Sequence, residues 1–427
     1  MGQAEKWMSL LNSAETAEHL RMLYGQDDGM LREQRERYGA LIRAHEEAFG
    51  AREGLELFSA PGRTEIGGNH TDHNGGRVLA ASVNLDTLCA ASPRADMKVC
   101  FQSEGYQPIE VDLTDTAPRP EEEGTTAGLI RGVAQGVQES GRRIGGFDAK
   151  VVSTVASGSG LSSSAALEVM LTAVFDGLFN DFSMPFQERA QISRMAENVY
   201  FGKPSGLLDQ MASAAGGLVT VDFQDDREPK VEALQYDFAA RGYALVVVAT
   251  GGSHADLTPH YAAVPREMKE AAACFGQKAL RGLTEADLLR EIGQLRKKVS
   301  DRALLRAFHF IAEDARVPQQ VRALKEDRIR DFLQLITESG RSSFMYLQNI
   351  YASNDDQSLS LALCMAESLL KGKGAWRIHG GGFAGTTLNF VPLEETARFV
   401  AQMEEAFGKG ACHVLNIRPV GADRIRM

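Results

Sequence analysis

The amino-acid sequence predicts an α+β protein with two domains. Three observations predict this fold class: short apolar runs typical of strands are mixed with longer runs of helical periodicity, three glycine-rich loops lie far apart, and a charged segment, DDREPKVEAL (225–234), interrupts the pattern near the middle. A chain of 427 residues is long enough for two domains. We therefore expect a helical N-terminal extension (residues 1–50), a first domain (51–228) and a second domain (229–427).

The first elements follow from hydrophobic spacing. Residues 1 to about 50 are charged, and their apolar positions recur at helical intervals, as in Leu31, Tyr38, Leu41 and Ile42. This spacing predicts one or two helices on the outside of the fold. From Leu55 the pattern changes to short apolar runs bounded by turn residues, which predict strands: LELFSA, RVLAASVN and KVCFQS.

A strand candidate, GFDAKVVSTVA (146–156), ends at a glycine–serine cluster, and a helix is predicted to follow. The helix is indicated by apolar residues on one face: Leu167, Met170, Leu171, Val174, Phe175 and Leu178. A second helix candidate, PFQERAQISRMAENVYFG, precedes GLLDQMASAAGG and the strand-like run GLVTVDFQ. After the charged segment come the strand YALVVVAT, a helix-rich region to about residue 370, and WRIHGGGFAGTTLNFVP, a glycine loop that runs into a strand.

Composition excludes several classes of function. The formal net charge is −11, and no basic stripe occurs, so neither a nucleic acid nor an anionic membrane surface is an expected partner. The longest apolar run is far too short to span a bilayer. Five scattered cysteines without a C-x-x-C pair fit a reducing compartment, so we expect a cytoplasmic protein. The oligomeric state stays open, and a monomer is compatible with the sequence.

The middle glycine-rich loop, GSGLSSSAA (158–166), has the composition of a phosphate-binding loop. Unpaired backbone N–H groups at a helix N-terminus attract anions, and glycines let the backbone approach them closely. The Walker pattern G-x-x-x-x-G-K-[ST] is absent from the chain, so a nucleotide loop here is of another type. The alternative is a serine-capped helix start that follows a flexible turn.

The other two glycine-rich loops carry different side chains. The stretch APGRTEIGGNHTDHNGG (60–76) combines carboxylates, amides and imidazoles, which can bind the vicinal hydroxyls of a polyol; its histidines could instead be ordinary loop residues or a weak metal site. The loop HGGGFAG (379–385) feeds a strand and by itself is typical of a tight hairpin turn.

Taken together, these motifs resemble the signature set of the GHMP small-molecule kinases and, among them, the galactokinases. GRTEIGGNHTDHNGG is similar to the family's sugar signature GRVNLIGEHTDYNGG, the serine-rich loop to its phosphate loop, HGGGFAGTT to its third motif GGGFGGC, and AENVYFGKPSGLLDQMASAAGG to the segment that holds the catalytic aspartate. The resemblance implies a ribosomal-S5-like N-terminal domain, a ferredoxin-like C-terminal domain and an active site between them. It also implies ATP and Mg²⁺ as cofactors and a small-molecule sugar as substrate.

The resemblance assigns roles to individual residues. Asp209 matches the aspartate near the anomeric hydroxyl, as general base or anionic anchor, and Arg63 matches the arginine that pairs with it. Ser164 and Glu197 match the Mg²⁺ ligands. The residues that would line the phosphates are Gly158, Gly160, Leu161, Ser162, Ser163 and Ser164.

Five further positions concern the sugar. His70 and Asp72 match sugar-hydroxyl contacts, whereas Asn69 stands where the family has a glutamate that contacts the sugar near C6. Glu65 replaces the usual asparagine of the same motif. Tyr261 neighbours the position of a sugar-contacting tyrosine in the second domain, although a gap-free alignment places Ala262 there. We expect Asn69, His70, Asp72, Glu65 and Tyr261 to bind substrate.

Further departures are His73 for a tyrosine, Ala384 for a glycine and Thr386 for a cysteine. The leading hypothesis is phosphorylation of the C1 hydroxyl of galactose. Because Asn69 is neutral, the same reaction on galacturonate or another galacto-configured sugar is the nearest alternative. A sensor that binds sugar and nucleotide without catalysis is the alternative from another class.

Overall fold

Two β-sheets organise the chain in the computed structural model, which describes residues 3–155, 160–203, 205–225, 227–251, 257–350, 355–383 and 385–426. Gly158 and Ala384, which the sequence singles out, lie outside the described residues. No helix among the described residues is both long and apolar enough to cross a membrane.

Three helices precede the first strand: α1 (Gln3–Leu11), α2 (Ala14–Tyr24) and α3 (Asp28–Phe49). Each of the last two begins at a side-chain cap, because Ser13 accepts a hydrogen bond from the Thr16 N–H and Asp27 accepts one from the Met30 N–H. Their apolar faces pack against the following strands in one cluster that includes Leu20, Tyr38, Leu57 and Leu88.

The first sheet contains eight of the described strands. Seven come from one continuous region: β1 (Glu56–Gly67), β2 (Arg77–Pro93), β3 (Lys98–Ser103), β4 (Ile109–Asp112), β5 (Phe147–Ser153), β6 (Leu218–Asp222) and β7 (Lys230–Leu234). The eighth, β12 (Asp423–Arg424), returns from the C-terminal end and pairs with β1. The main order is β12, β1, β2, β5, β3, β4, with β6 pairing to β2 and β7 to β6. The β3–β5 pair is parallel, and the others are antiparallel.

Four helices cover one face of this sheet: α4 (Thr126–Glu139), α5 (Ser163–Asn180), α6 (Phe186–Met195) and α7 (Leu208–Ala215). A π-helical turn, Ala196–Tyr200, continues α6. The largest apolar core lies between these helices and the sheet and includes Phe58, Phe147, Val169, Phe175 and Met211. Helices α5 and α7 carry the phosphate-loop serines and Asp209 at their N-terminal ends, so this core sets the positions of both groups.

The second sheet has four of the described strands in the order β11, β8, β10, β9, all antiparallel. They are β8 (Tyr243–Ala249), β9 (Ala375–His379), β10 (Thr386–Pro392) and β11 (Cys412–Leu415). The helices of this half are α8 (Thr258–Ala273), α9 (Glu285–Leu295), α10 (Asp301–Lys325), α11 (Ile329–Ser342), α12 (Ser358–Leu370) and α13 (Thr396–Phe407). A second π-helical turn, Ser343–Leu347, follows α11.

An apolar cluster joins the two sheets. It combines Ile66 and Leu79 of the first sheet with Val247 and Phe390 of the second and with Phe332 of α11. Because such a cluster buries apolar surface from both halves, it holds β1 and the β9–β10 hairpin close to each other.

The predicted α+β class agrees with the structure. Residues 1–50 form three helices rather than the predicted one or two, because the chain breaks at the Ser13 and Asp27 caps. The charged segment 225–234 also differs from the expectation. Its second half, KVEAL, is strand β7 rather than part of a connection, since it pairs antiparallel with β6. The change from one sheet to the other falls between Leu234 and Tyr243, near the expected limit after residue 228. The domain limits themselves stay a prediction.

A buried carboxylate attaches the N-terminal helices to the first sheet. Asp86 of β2 is fully buried and accepts hydrogen bonds from the Tyr24 hydroxyl, from Ser59 Oγ at 2.6 Å, from Arg37 Nη2 at 3.0 Å and from Arg418 Nη1 at 3.1 Å. A buried charge is stable only when it is paired and hydrogen-bonded, so these partners from α2, α3 and the C-terminal segment depend on one another.

We expect Tyr24→Phe to lower the free energy of unfolding by about 2 kcal/mol, because it removes one hydrogen bond to this buried carboxylate. Urea unfolding of the variant and of Tyr106→Phe measures the effect. Tyr106 is 74% exposed and serves as the matched control, with no expected change. Equal stability of the two variants would contradict the anchoring role of Tyr24.

Candidate active site

Arg63 and Asp209 form a two-point ion pair at the junction of β1 and α7. Arg63 Nε lies 2.6 Å from Asp209 Oδ1, and Nη2 lies 2.9 Å from Oδ2. The remaining nitrogen, Nη1, donates to the Gly160 carbonyl at 2.5 Å. Since all three guanidinium nitrogens are bonded, the orientation of Arg63 is fixed.

Asp209 stays ionised well below neutral pH. Burial by itself raises the pKa of this carboxyl, but the charge and hydrogen bonds of Arg63 and a hydrogen bond from Ser162 outweigh burial and lower the pKa below its ordinary value. The Asp209 side chain is 34% exposed, so an anionic carboxylate faces the cleft.

The Ser162 backbone is left-handed, with φ 56°, and Ser162 occupies the N-cap position of α5. Its hydroxyl donates to Asp209 instead of accepting a bond from the helix, so no side chain caps the N-terminus of α5. The first N–H groups of α5, which include those of Ser163 and Ser164, are therefore oriented to bind an anion. Leu161 is fully buried, so only its backbone can serve a ligand.

Gly160 is required at its position. Its φ is +71°, and a Cβ atom there would lie 2.1 Å from Thr386 Oγ1. Thr386 Oγ1 is also 3.1 Å from His379 Nδ1, and His379 Nε2 accepts the Glu65 N–H at 3.2 Å. The strand ends on either side of the loop after β9, His379 and Thr386, therefore lie against both the serine-rich loop and the motif at residues 60–76.

Glu197 accepts hydrogen bonds from α5, from residues 203 and 205 and from α7. This carboxylate, 2% exposed, lies in the π-helical turn and accepts Lys203 Nζ at 2.8 Å, Ser205 Oγ at 2.5 Å and Gln210 Nε2 at 2.8 Å. Ser164 Oγ is 3.4 Å from Glu197 Oε1.

The donor set at this point suits a magnesium ion. No group of three or more His, Cys, Asp or Glu side chains that could hold a metal occurs among the described residues. Mg²⁺ commonly takes only one or two protein oxygen ligands and completes its octahedron with phosphate oxygens and water. Ser164 and Glu197 offer two hard oxygen atoms beside the anion-binding end of α5, so they fit Mg²⁺ that arrives with a phosphate group.

His70 presents an unpaired ring nitrogen. Its backbone is left-handed, with φ 58°, and its Nε2 lies 3.0 Å from the Gly381 carbonyl, to which it donates. Burial, followed by the nearby His73, lowers the pKa of His70 to about 3, so the ring is neutral. Its buried Nδ1 has no hydrogen-bond partner within the part of the chain that the structure describes and is available as an acceptor.

Asp72 lies opposite the turn before α7. A Cβ atom at Gly206 would lie 1.7 Å from Asp72 Oδ2, so only glycine lets that turn approach the carboxylate. The one polar contact of the Asp72 carboxylate within the described residues is His73 Nε2 at 3.5 Å. Asp72 therefore keeps acceptor capacity next to the turn that leads into α7.

Asn69 differs from the expected sugar contact. It is fully buried, and its Nδ2 donates to Glu65 Oε1 at 2.9 Å and to the Gly380 carbonyl at 2.7 Å. Its Oδ1 accepts Ser343 Oγ at 3.1 Å and Asn349 Nδ2 at 2.9 Å. An amide has two donors and two acceptor positions, and all four are used, so this geometry argues against a direct sugar contact by Asn69.

Glu65 is the carboxylate of this network. Oε1 accepts Arg377 Nη2 at 2.6 Å as well as Asn69, whereas Oε2 accepts no hydrogen bond from the described residues. Burial raises the pKa of Glu65 to about 7, against the opposing charges of Arg377 and Arg63. Glu65 lies two residues from Arg63 on β1, so both side chains project from the same face of the strand.

Side chains of helix α10 bind the backbone of the loop at residues 68–70. Glu313 Oε1 accepts the Gly68 N–H at 3.0 Å and the Asn69 N–H at 3.3 Å, and His309 Nε2 donates to the Asn69 carbonyl at 3.0 Å. Burial alone raises the pKa of Glu313, but the Arg316 charge and further partners reverse this and lower the pKa to about 2. Backbone groups at residues 68 and 69 are therefore fixed by the second half of the chain.

Tyr261, on α8, contacts the glycine loop that follows β9. Its hydroxyl donates to the Gly382 carbonyl at 3.0 Å, and its ring packs edge-on against Phe383 at 5.4 Å. Gly380, Gly381 and Gly382 thus each accept a side-chain hydrogen bond, from Asn69, His70 and Tyr261 respectively. The HGGG segment both forms the β9–β10 hairpin and lines the site.

The structure brings most of the predicted residues into one cleft. Arg63, Asp209 and Ser162 are bonded directly, Ser164 lies beside Glu197, and His70 and Asp72 come from the adjoining loop; their roles in binding stay predictions. Sequence analysis missed Lys203, Glu313, His309 and Arg377. Only Lys203 carried a signal, since it lies within the segment AENVYFGKPSG that contains Glu197.

Comparison with known proteins places these features in two family models. The galactokinase galactose-binding signature matches residues 43–93, and the GHMP kinases N terminal domain matches residues 128–217. Galactokinase of Streptomyces coelicolor is 32% identical over 366 residues, which are 84% of this chain and 90% of that protein. Human galactokinase is 32% identical over 391 residues, 89% of this chain and 94% of the relative.

Solved structures agree with the sequence comparisons. Lactococcus lactis galactokinase complexed with galactose superimposes with a TM-score of 0.79 and 25% identity, covering 90% of this chain and 99% of that chain. Mevalonate kinase of Methanococcus jannaschii gives a TM-score of 0.60 at 14% identity, which is a likeness of fold alone.

We expect Glu313→Gln to lower the free energy of unfolding by about 3 kcal/mol at pH 7, since a carboxyl with a pKa of about 2 rather than its ordinary 4.5 stabilises the fold while it is ionised. That contribution is complete above the ordinary pKa and declines as pH falls from about 4.5 toward 2. Urea unfolding at several pH values should therefore show the wild type and variant converging below about pH 5. Glu291→Gln, at an exposed position of α9, is the control; a difference that grows toward low pH would refute this account.

Proposed function

The chain belongs to the galactokinase family of the GHMP kinases, and from this premise we propose that it transfers the γ-phosphoryl group of ATP to the C1 hydroxyl of galactose. The observation that carries the proposal is the ion pair of Arg63 and Asp209 beside the uncapped N-terminus of α5. One side of this pair suits phosphates, and the other side, with Asp72 and His70, suits sugar hydroxyls.

In the proposed reaction, the C1 oxygen forms a bond to the γ-phosphorus while the bond from that phosphorus to the β,γ-bridging oxygen breaks. ADP leaves with the bonding electron pair, and the hydroxyl proton passes to Asp209 or to solvent. The lowered pKa of Asp209 makes it a weak base near neutrality, so we assign it chiefly to orienting the hydroxyl. Positioning and charge stabilisation are the main protein contributions to phosphoryl transfer.

We assign the metal to Ser164 and Glu197. Mg²⁺ bound there with the phosphates supplies charge neutralisation for the transferred group. The residues of this chain contribute the two oxygen ligands and the N–H groups of α5 that hold the phosphates in place. Gly158, which lies outside the described ranges, keeps its predicted phosphate contact as part of this proposal.

Galactose rather than galacturonate is the proposed substrate. The sequence suggested that neutral Asn69 would tolerate a C6 carboxylate, but its amide is fully engaged and Glu65 places a carboxylate next to it. The unengaged Glu65 Oε2 can accept a hydroxyl hydrogen bond and would repel a substrate carboxylate. We further propose a cytoplasmic location, consistent with five free cysteine thiols.

Purified protein with Mg·ATP should release ADP fastest with galactose, compared with galacturonate, N-acetylgalactosamine, arabinose and glucose. Asp209→Asn should lower kcat by about a hundredfold or more while nucleotide still binds, because it removes the anion that orients the hydroxyl and pairs with Arg63. Asp331→Asn, at an exposed site on α11, is the control. Preference for galacturonate would redirect the substrate assignment, and binding without turnover would identify a sensor.

We expect Glu65→Gln to raise the KM for galactose and to reduce its discrimination against galacturonate, because the amide no longer repels an anionic sugar. A carboxyl with a pKa of about 7 is ionised above that pH and protonated below it. In the wild type, kcat/KM for galactose should therefore fall as pH drops through about 7, and the variant should lack this limb. Three charged groups near Glu65 could shift the pH at which this limb appears: Arg377, Arg63 and Asp72. Identical pH profiles for the two proteins would remove Glu65 from sugar recognition.

A further inference from the structure

We propose that Lys203 is a second cation, beside Arg63, of the phosphoryl-transfer centre. Lys203 pairs with Glu197 in the ligand-free protein and contacts the γ-phosphate once Mg²⁺ and ATP occupy the site. This inference rests on the proposed kinase function and adds a phosphate-contacting residue to it. The sequence motifs assign Lys203 no role.

The first argument is the place of the ammonium group. Lys203 Nζ lies 2.8 Å from Glu197 Oε1, the oxygen that is also 3.4 Å from Ser164 Oγ. Two residues earlier on the same end of α5, Ser162 donates to Asp209. Lys203 therefore lies at one end of the row of groups that would face the phosphates, and Asp209 lies at the other end.

The second argument is the backbone that presents Lys203. Gly202 has φ +79°, a left-handed backbone conformation that favours glycine. The Lys203 N–H then donates to the Glu197 carbonyl at 3.1 Å. The chain thus folds back onto the π-helical turn, and this fold fixes the base of the lysine side chain beside the carboxylate.

The third argument is mobility of the charge. Arg63 is 7% exposed, and its three nitrogens are already bonded, so it cannot turn toward an incoming phosphate. The Lys203 side chain is 56% exposed, makes one side-chain contact among the described residues and has a flexible four-carbon stem. Of these two cations, only Lys203 is free to follow a ligand.

Magnesium supplies the reason for the change of partner. Glu197, as a ligand of Mg²⁺, would share its charge with the metal and would need Lys203 less, since two cations on one carboxylate oxygen would repel each other. Asp209 already accepts hydrogen bonds from Arg63 and Ser162. The γ-phosphate is the anion that arrives with the metal, and three oxygens of the transferred group carry charge that a lysine can neutralise.

Calorimetric binding of a non-hydrolysable ATP analogue and of ADP, each with Mg²⁺ and without sugar, tests the proposal. Lys203→Met should weaken the analogue by about tenfold or more and ADP by less than about threefold, because only the analogue has a γ-phosphate. Lys203→Arg should restore most of the difference. Lys373→Met is the matched control, since Lys373 Nζ forms an exposed ion pair with Glu395 at 2.6 Å.

A purely structural role predicts a different result. If Lys203 only neutralised Glu197, Lys203→Met would weaken both nucleotides equally or change neither, and either outcome overturns the proposal. Turnover of galactose should fall by about ten- to a hundredfold in the methionine variant. Since the binding assay needs no acceptor, a wild type that fails to phosphorylate any sugar would reject the proposed function without deciding the role of Lys203.

Discussion

The site depends on the charge of Arg63, which is buried and must be paired. Its three bonded nitrogens tie β1 to the first turn of α7 through Asp209 and to the serine-rich loop through the Gly160 carbonyl. Loss of any one partner would leave a buried cation incompletely compensated, which is far more costly than loss of a surface contact. The Asp209 carboxylate and the N-terminus of α5 are therefore aligned before any ligand arrives, and in the proposed reaction such alignment lowers the barrier to phosphoryl transfer.

The sugar-binding side is built differently, because it is completed from the second half of the chain. The loop at 68–70 has its amide and carbonyl groups bound by Glu313 and His309 of α10, and its side chains reach the glycine carbonyls after β9. Left-handed backbone at His70 is strained for a non-glycine residue and persists only where surrounding contacts enforce it. Contacts between the two halves of the chain thus shape the loop at 68–70, whereas the side-chain partners of Asp209 and Glu197 among the described residues come from residues 63–210.

This division explains what the sequence could predict. The fold class and the strand and helix that flank the serine-rich loop followed from local patterns, and the pairing of Arg63 with Asp209 followed from the family resemblance. The environment of Asn69 did not, since its partners Ser343, Asn349 and Gly380 lie more than 270 positions away, and Ser343 and Asn349 carry no motif. The strand β7 was also missed, because a charged and half-exposed strand has no apolar alternation to reveal it.

The Glu65–Asn69 pair shows why selectivity cannot be argued one position at a time. Relative to the motif GRVNLIGEHTDYNGG, this chain exchanges the two residue types: the asparagine position holds Glu65 and the glutamate position holds Asn69. The two side chains are hydrogen-bonded at 2.9 Å, so the exchange preserves a carboxylate–amide pair and moves the negative charge by four residues. Arg377, whose guanidinium is fully buried, then holds the relocated charge in place at 2.6 Å. In the proposed function the carboxylate at position 65 faces the sugar, and the neutral residue at position 69 is the structural half of the pair.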